Sequence, residues 1–390
     1  MGTAGIRALA ATFPDEVRTN DYWRQRYPEI ANAERKWLQK RAKARESGRR
    51  ETEILGKTDS LLFDTAMAPY FEDPFHGAVE RRVLKGGEST TTLSLKAVQQ
   101  VLNTSNIPLS EIDLLVSNSM FPDRVGGGDA AYIAKELDYK GGALNVEATC
   151  GGGLTALLTG FAFVQSGQAR NVLVVSATNF SRAIDEKDPS ALMTGDGASA
   201  VIIGQTDSGY GLLGAKSLHT GETCGGWFFD TAPDPTETTV GGRKIRLGVT
   251  RTTMQAIRAS TGPYLRRCTA GALEAARVDL AEVNTFVFGS QMAWLADYSA
   301  QILGIDRNQL VNIYPWYGNI GPTSILVGLH HAAALKKIRQ GDLVCLYIFG
   351  GQAQASAAIL RWGDTCLGSM PHGVPTNANE FAQKQMSREN

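Results

Sequence analysis

The sequence predicts an α/β protein made of two similar halves. Its 390 residues exceed what one ordinary core accommodates, so a second domain or a duplication is expected. Continuous apolar runs rich in β-branched residues alternate with amphipathic helical stretches, the pattern of central strands covered on both faces. Segments of the first half also recur in the second, in the same order.

Three echoes carry that repeat. Leu109-Ser-Glu-Ile-Asp-Leu-Leu-Val-Ser-Asn-Ser119 matches Leu280-Ala-Glu-Val-Asn-Thr-Phe-Val-Phe-Gly-Ser290, each after an amphipathic stretch (Leu93 to Leu102; Ala270 to Arg277). Asn171-Val-Leu-Val-Val-Ser-Ala177 matches Asp342-Leu-Val-Cys-Leu-Tyr-Ile-Phe349. Ala198-Ser-Ala-Val-Ile-Ile203 matches Ala355-Ser-Ala-Ala-Ile-Leu360. Chance similarity between short apolar strands is the alternative, and three echoes in one order argue against it. The halves are therefore placed at 1–206 and 207–364, with the boundary at Asp207-Ser-Gly-Tyr-Gly211. Outside the repeat lie a polar, charged insertion at about 42–76 and a tail at 365–390. The tail is rich in Gly, Pro, Asn and Gln, a composition that predicts mobility.

Composition excludes several classes. With 39 basic and 39 acidic residues the net charge is zero, so no global field favours nucleic acid or a membrane surface. No apolar run approaches membrane-spanning length, and the N-terminus lacks a signal pattern. Cys150, Cys224, Cys268, Cys345 and Cys366 form no CxxC pair, which predicts reduced thiols in the cytoplasm and no metal site. The five histidines show no HExxH-type ligand pattern, in keeping with that.

The segment Asn145-Val-Glu-Ala-Thr-Cys150-Gly-Gly-Gly-Leu-Thr-Ala-Leu-Leu reads as a buried strand, a sharp turn carrying one cysteine, then a helix. Three glycines allow a tight turn and keep side chains away from the sulfur. Amides at a helix start favour a thiolate, which suits a nucleophile. A structural cysteine packed under a helix is the plain alternative.

These features together resemble the thiolase superfamily, and within it the β-ketoacyl-acyl-carrier-protein synthase III (ketosynthase III) group. The resemblance runs from about Arg7 to Trp362 through the cysteine elbow, Thr194-Gly-Asp-Gly-Ala198, Tyr317-Gly-Asn319 and Phe349-Gly-Gly351. It implies a thiolase fold of duplicated βα halves in αβαβα layers, and a homodimer. It implies that Cys150 accepts an acyl group as a thioester from acyl-CoA or an acyl carrier protein. The backbone amides of Cys150 and Gly351 would then form the oxyanion hole, and Asn319 would be the asparagine that stabilises the oxyanion. No permanently bound cofactor is implied, because coenzyme A or phosphopantetheine arrives with the substrate. The Gly195-Asp196-Gly197 turn is expected to shape the site without performing chemistry.

One departure stands out. Where the family carries its catalytic histidine, this chain reads Phe288-Gly289-Ser290-Gln291-Met292-Ala293. A gapless alignment puts Gly289 at the histidine position, and anchoring on the glutamine puts Ser290 there. Serine donates a neutral hydrogen bond but neither supplies a cation nor accepts a proton near neutral pH. Losing such a donor typically costs ~10²–10³ in rate, which argues against ordinary decarboxylative elongation of a malonyl thioester. His219, in Ser217-Leu-His219-Thr-Gly, is a candidate replacement base, with a structural strand-end role as the alternative. His330 and His331, adjacent on a helix, are expected to be structural.

Two further comparisons bear on specificity. Trp37 and Arg41, one helical turn apart, match the spacing of family residues that hold the coenzyme A adenine and phosphate, within a basic segment that also carries Arg35, Lys36, Lys40, Lys43, Arg45, Arg49 and Arg50. A solvated helix face is the alternative. Val125-Gly126-Gly127-Gly128-Asp129 replaces a bulky acyl-pocket residue, which implies room for a large acyl group or a merely flexible loop. The leading expectation is a ketosynthase III-like acyltransferase of specialised metabolism that passes an acyl group from Cys150 to a small-molecule acceptor. A carbon–carbon condensing enzyme and a non-catalytic partner subunit are the alternatives. Degradative thiolases fit less well, because they place a second cysteine where this chain has Gly350-Gly-Gln-Ala353.

Overall fold

The computed structural model describes residues 3–54, 58–124, 126–219, 221, 224, 227–233, 243–249, 253–350 and 354–371. Two mixed sheets form its frame. One orders its strands Cys366–Leu367, Thr3–Thr12, Asp196–Thr206, Asn171–Asn179, Leu114–Ser119, Gly142–Asn145. The other orders Gly211–His219, Gln354–Arg361, Leu343–Gly350, Thr285–Phe288, Leu310–Val311. From Thr3–Thr12 and from Gly211–His219 onward, each sheet makes two antiparallel pairings and then two parallel ones. All three sequence echoes occupy equivalent strands of the two sheets.

Burial explains why these runs are apolar throughout rather than alternating. Helices Gly152–Gln165 and Ser324–Ala334 lie between the sheets, where Leu154, Leu157, Phe161, Ile325 and Leu329 meet Val174, Val201, Val287 and Leu346. The outer face of the six-stranded sheet is covered by Thr90–Ser105 and Gly128–Glu136, through Leu93, Val98, Val101 and Ile133. The outer face of the five-stranded sheet is covered by Thr253–Ala276 and Leu295–Leu303, through Leu265, Ala272, Tyr298 and Ile302. Each fully buried Leu, Ile or Phe contributes ~1.5–3 kcal/mol relative to exposure. The layers run αβαβα, as the resemblance implies.

The first part of the segment expected as an insertion at about 42–76 continues the helix Pro28–Ile54. A second helix, Thr58–Met67, extends the outer layer of the C-terminal half: Phe63 packs edge-on to Trp294 and Tyr298, and Asp59 pairs with both Arg266 Nη atoms. The tail begins later than residue 365. Cys366–Leu367 pairs with Ala8 and Leu9, the Thr365 hydroxyl donates to the Ile6 carbonyl, and the Gly368 carbonyl lies 3.0 Å from His330 Nε2. Residues 372–390 lie outside the described residues. The strand before Cys150, Gly142–Asn145, is an edge strand and largely exposed, not buried.

Candidate active site

Cys150 sits in a short 3₁₀ turn, Thr149–Gly151, that feeds directly into the central helix Gly152–Gln165. The turn is tight: the Gly151 amide donates to the Ala148 carbonyl at 2.9 Å. Thr149 adopts a left-handed backbone with φ 48°, uncommon for any side chain and costly for a β-branched one. The Glu147 carboxylate accepts the Thr149 N–H at 2.7 Å. Partial burial raises the pKa of Glu147, opposed by hydrogen bonds from the Thr149 and Ala148 amides. Cys150 itself is half-buried.

The end of strand Leu343–Gly350 closes on this turn. A Cβ on Gly350 would lie 2.3 Å from Thr149 Oγ1, so glycine is what permits the approach. Gly351, the expected second amide of the oxyanion hole, lies outside the described residues. On the next strand Gln354 reaches back, its Nε2 donating to Thr155 Oγ1 at 3.1 Å. His219 ends strand Gly211–His219 opposite Gln354 in register, and it is exposed.

The loop carrying Asn319 is clamped from two sides. Asn319 N–H donates to the Met193 carbonyl at 2.7 Å, and the Gly195 N–H donates to the Asn319 carbonyl at 3.1 Å. Its side-chain Oδ1 accepts the Gly321 N–H at 2.8 Å. The turn that follows rests on the helix after Cys150, since a Cβ on Gly153 would lie 2.2 Å from the Pro322 carbonyl oxygen. Beneath it, Thr178 Oγ1 donates to the Ile320 carbonyl and Ser176 Oγ to Asn118 Oδ1, while Thr323 Oγ1 is 3.2–3.3 Å from both hydroxyls. Asp196 is fully buried, accepts Leu84 N–H, Ser181 N–H and Ser181 Oγ–H, and is pushed up to about 6 by burial. Asp196 thus anchors the Thr194–Gly197 segment from beneath.

Ser290 is buried beside the same strand end, at 5% exposure. The neighbouring Gln291 donates from Nε2 to the Phe349 carbonyl at 2.8 Å. Packing also separates the two candidate histidine positions. A Cβ at Gly289 would stand 2.5 Å from Ile348 Cγ1 and 2.8 Å from Gln291 Nε2, so a side chain there would have to displace both, whereas Ser290 already carries one. His331 is buried, 2.9 Å from the Tyr317 hydroxyl and 2.9 Å from the Val327 carbonyl, and burial pushes it down to about 3. It is a neutral structural residue that braces the turn before Asn319.

Comparison with known proteins follows from this geometry. Residues 144–221 match the 3-oxoacyl-[acyl-carrier-protein (ACP)] synthase III family, and residues 273–362 match its C-terminal counterpart. The β-ketoacyl-[acyl-carrier-protein] synthase III of Brucella abortus is 28% identical over 297 residues, covering 73% of this chain and 88% of the relative. The corresponding protein of Chelativorans sp. is 27% identical over 300 residues, with the same coverage. The Thermus thermophilus β-ketoacyl-[acyl carrier protein] synthase III structure superposes with a TM-score of 0.72 at 25% identity, covering 92% of this chain and 99% of that one. The chain is ketosynthase III-like.

In this ketosynthase III-like chain the remaining expected residues are placed as follows. Trp37 is 46% exposed, with the Arg41 guanidinium 4.4 Å over its ring, and burial lowers the Arg41 pKa. Their helix packs through Ile30 and Ala31 against Leu192, next to the Met193 carbonyl that holds Asn319. Arg35, Lys36, Lys40 and Lys43 are exposed along it. Gly126 and Gly127 open the loop before helix Gly128–Glu136, whereas Val125 lies outside the described residues. Asn145 ties that loop to the strand before Cys150, donating to the Gly127 carbonyl at 2.9 Å and accepting the Ala130 N–H at 3.0 Å. Asp129 is buried there, accepts the Asp123 N–H, and is pushed up to about 6 by desolvation. Glu147, Thr149, Asn145 and Gln354 are site residues that sequence reasoning passed over. The carboxylate three residues before the cysteine was the available signal for Glu147.

Among the described residues no helix is long and apolar enough to cross a membrane, and no group of three or more His, Cys, Asp or Glu is gathered as a metal site.

Proposed function

We propose that this chain is an acyltransferase in which Cys150 takes an acyl group from acyl-CoA or an acyl carrier protein and passes it to an acceptor. The observation that carries the reading is the pairing of an intact nucleophile turn, closed by Gly350, with a buried Ser290 where an imidazole would be needed. Acylation needs a thiol and an oxyanion hole, for which the sequence retains Cys150 and Gly351, while the leaving thiolate is supplied by the donor. Decarboxylation of malonyl needs two donors to the developing enolate, and only Asn319 of that pair is present. The acceptor is therefore a hydroxyl, an amine, a carrier thiol or an already nucleophilic carbon. His219 is the base assigned to it, and Trp37 with Arg41 is the assigned contact for the coenzyme A end. The acyl group would extend past Gly126 and Gly127. One neighbouring structure is a priming β-ketosynthase from the R1128 polyketide biosynthetic pathway, which supports a setting in specialised metabolism. A reducing, cytoplasmic compartment goes with this reading, because Cys150 must stay a thiol.

A second reading, carbon–carbon condensation, is favoured by one observation: the Asn319 side chain is held in place by the Gly321 N–H, and Gln291, next to Ser290, is tied to the Phe349 carbonyl. Malonyl-thioester decarboxylation, measured by CO₂ release, is expected to be slow in the native protein. Ser290→His should raise it by up to ~10²-fold, the usual worth of a restored donor. Rapid decarboxylation without that substitution would favour condensation.

The open edge strand Gly142–Asn145 supports a homodimer, since an exposed edge offers unpaired backbone groups to a second copy. Light scattering coupled to gel filtration should return twice the 41.9 kDa chain mass. A monomer at micromolar concentration would contradict the dimer.

A further inference from the structure

We infer that Glu147 is a positioning residue, whose carboxylate holds Thr149 in its left-handed conformation and so sets Cys150 against the end of strand Leu343–Gly350. The inference deepens the acyltransferase reading and rests on it for its functional meaning. Two contacts and a strained backbone angle meet at one residue. Glu147 Oε1 accepts the Thr149 N–H at 2.7 Å, Thr149 has φ 48°, and Thr149 Oγ1 packs where Gly350 has no side chain. A threonine does not choose this backbone unaided, since its branched Cβ crowds the chain there. Its hydroxyl does not compensate either, being buried without a hydrogen-bond partner. The strain is therefore held by its surroundings, and the charge-assisted bond from the preceding carboxylate is the strongest polar contact made to it.

The consequence for chemistry is geometric. Thr149 is covalently joined to Cys150 and packed on Gly350, which precedes the residue expected to complete the oxyanion hole. A relaxed Thr149 would rotate the peptide into Cys150 and shift the sulfur relative to that strand end. Misplacement of about 1 Å at a reacting centre is enough to cost ~10²-fold.

The test measures two reactions at Cys150. One is alkylation by iodoacetamide, mapped by peptide mass spectrometry, which needs no correct acyl donor. The other is acylation by an acyl-CoA panel, followed by intact mass. Glu147→Ala is expected to lower acylation ~10²-fold while the circular dichroism spectrum and thermal midpoint stay near those of the native protein. Glu147→Gln, which keeps an acceptor oxygen for the Thr149 N–H, should restore most of that rate. Thr149→Gly in the Glu147→Ala background should also restore it, because glycine takes the same φ without strain. The inference is overturned if Glu147→Ala acylates normally, if Glu147→Gln is as impaired as Glu147→Ala, or if the loss tracks a fall in thermal stability. Failure of Thr149→Gly to rescue would overturn it as well. Should the native protein take no acyl group while its alkylation still depends on Glu147 and is rescued by Thr149→Gly, the acyltransferase reading fails and the positioning role stands.

Discussion

Cys150→Ala is expected to abolish the acyl adduct that forms when the protein meets a thioester donor, reducing it to background in an intact-mass measurement. Four other thiols are present, and their surroundings explain why one is selected. Cys268 and Cys345 are buried, and desolvation pushes each thiol up to about 12, where almost no thiolate exists at neutral pH. Cys224 and Cys366 are exposed, but neither stands at the start of a buried helix facing a glycine strand end. Cys150 alone combines partial access with the turn built by Glu147, Thr149 and Gly350. The adduct should be hydroxylamine-sensitive, as a thioester is and an amide is not. A label mapping to Cys224 or Cys366 would make the central assignment wrong. No adduct with any donor would favour a partner subunit that lends structure to a competent homologue.

The fold was legible because its strands are buried on both faces. A run such as Asn171–Asn179 has no solvent side, so apolar residues fill it, and its counterpart Leu343–Gly350 is filled by the same rule. Where that rule weakens, the reading went astray. Gly142–Asn145 sits at a sheet edge, and nothing local distinguishes its short Gly-Ala-Leu-Asn from a buried strand. Thr58–Met67 depends on docking against Trp294 and Tyr298, more than two hundred residues away, which no local pattern reports. Cys366–Leu367 is ordered by pairing with Ala8 and Leu9 at the other end of the chain, against its turn-rich surroundings.

The site shows the same division. Cys150 stands out by the glycines that follow it, and Asn319 by its match to the family asparagine in Tyr317-Gly-Asn319. Packing bears on the choice between Gly289 and Ser290, since a side chain at Gly289 would crowd Ile348 and Gln291, contacts that no local pattern reports. A left-handed threonine has no sequence signature, as the favoured residues there are glycine and asparagine. Thr149 therefore became visible only with its backbone angles, and Glu147 only through the bond it makes to Thr149.

His219→Ala is expected to separate the two half-reactions. Acylation of Cys150 should remain within a few-fold of native, because a thiol is activated by its own turn and the thioester is a reactive donor. Transfer to a hydroxyl acceptor should fall by ~10²–10⁴, the usual contribution of a general base, because an alcohol at neutral pH must lose a proton as it attacks. Acyl-enzyme would then accumulate and be seen directly by intact mass. The placement of His219 makes the test worthwhile: it ends its strand in register with Gln354, whose side chain bonds to Thr155 on the helix after Cys150. Its exposure leaves it open to an incoming acceptor and to solvent alike. Equal loss in both half-reactions would mark His219 as a binding or structural residue. If neither step changed, the acceptor would not need this imidazole, as expected for a carrier thiol or an amine that is already nucleophilic.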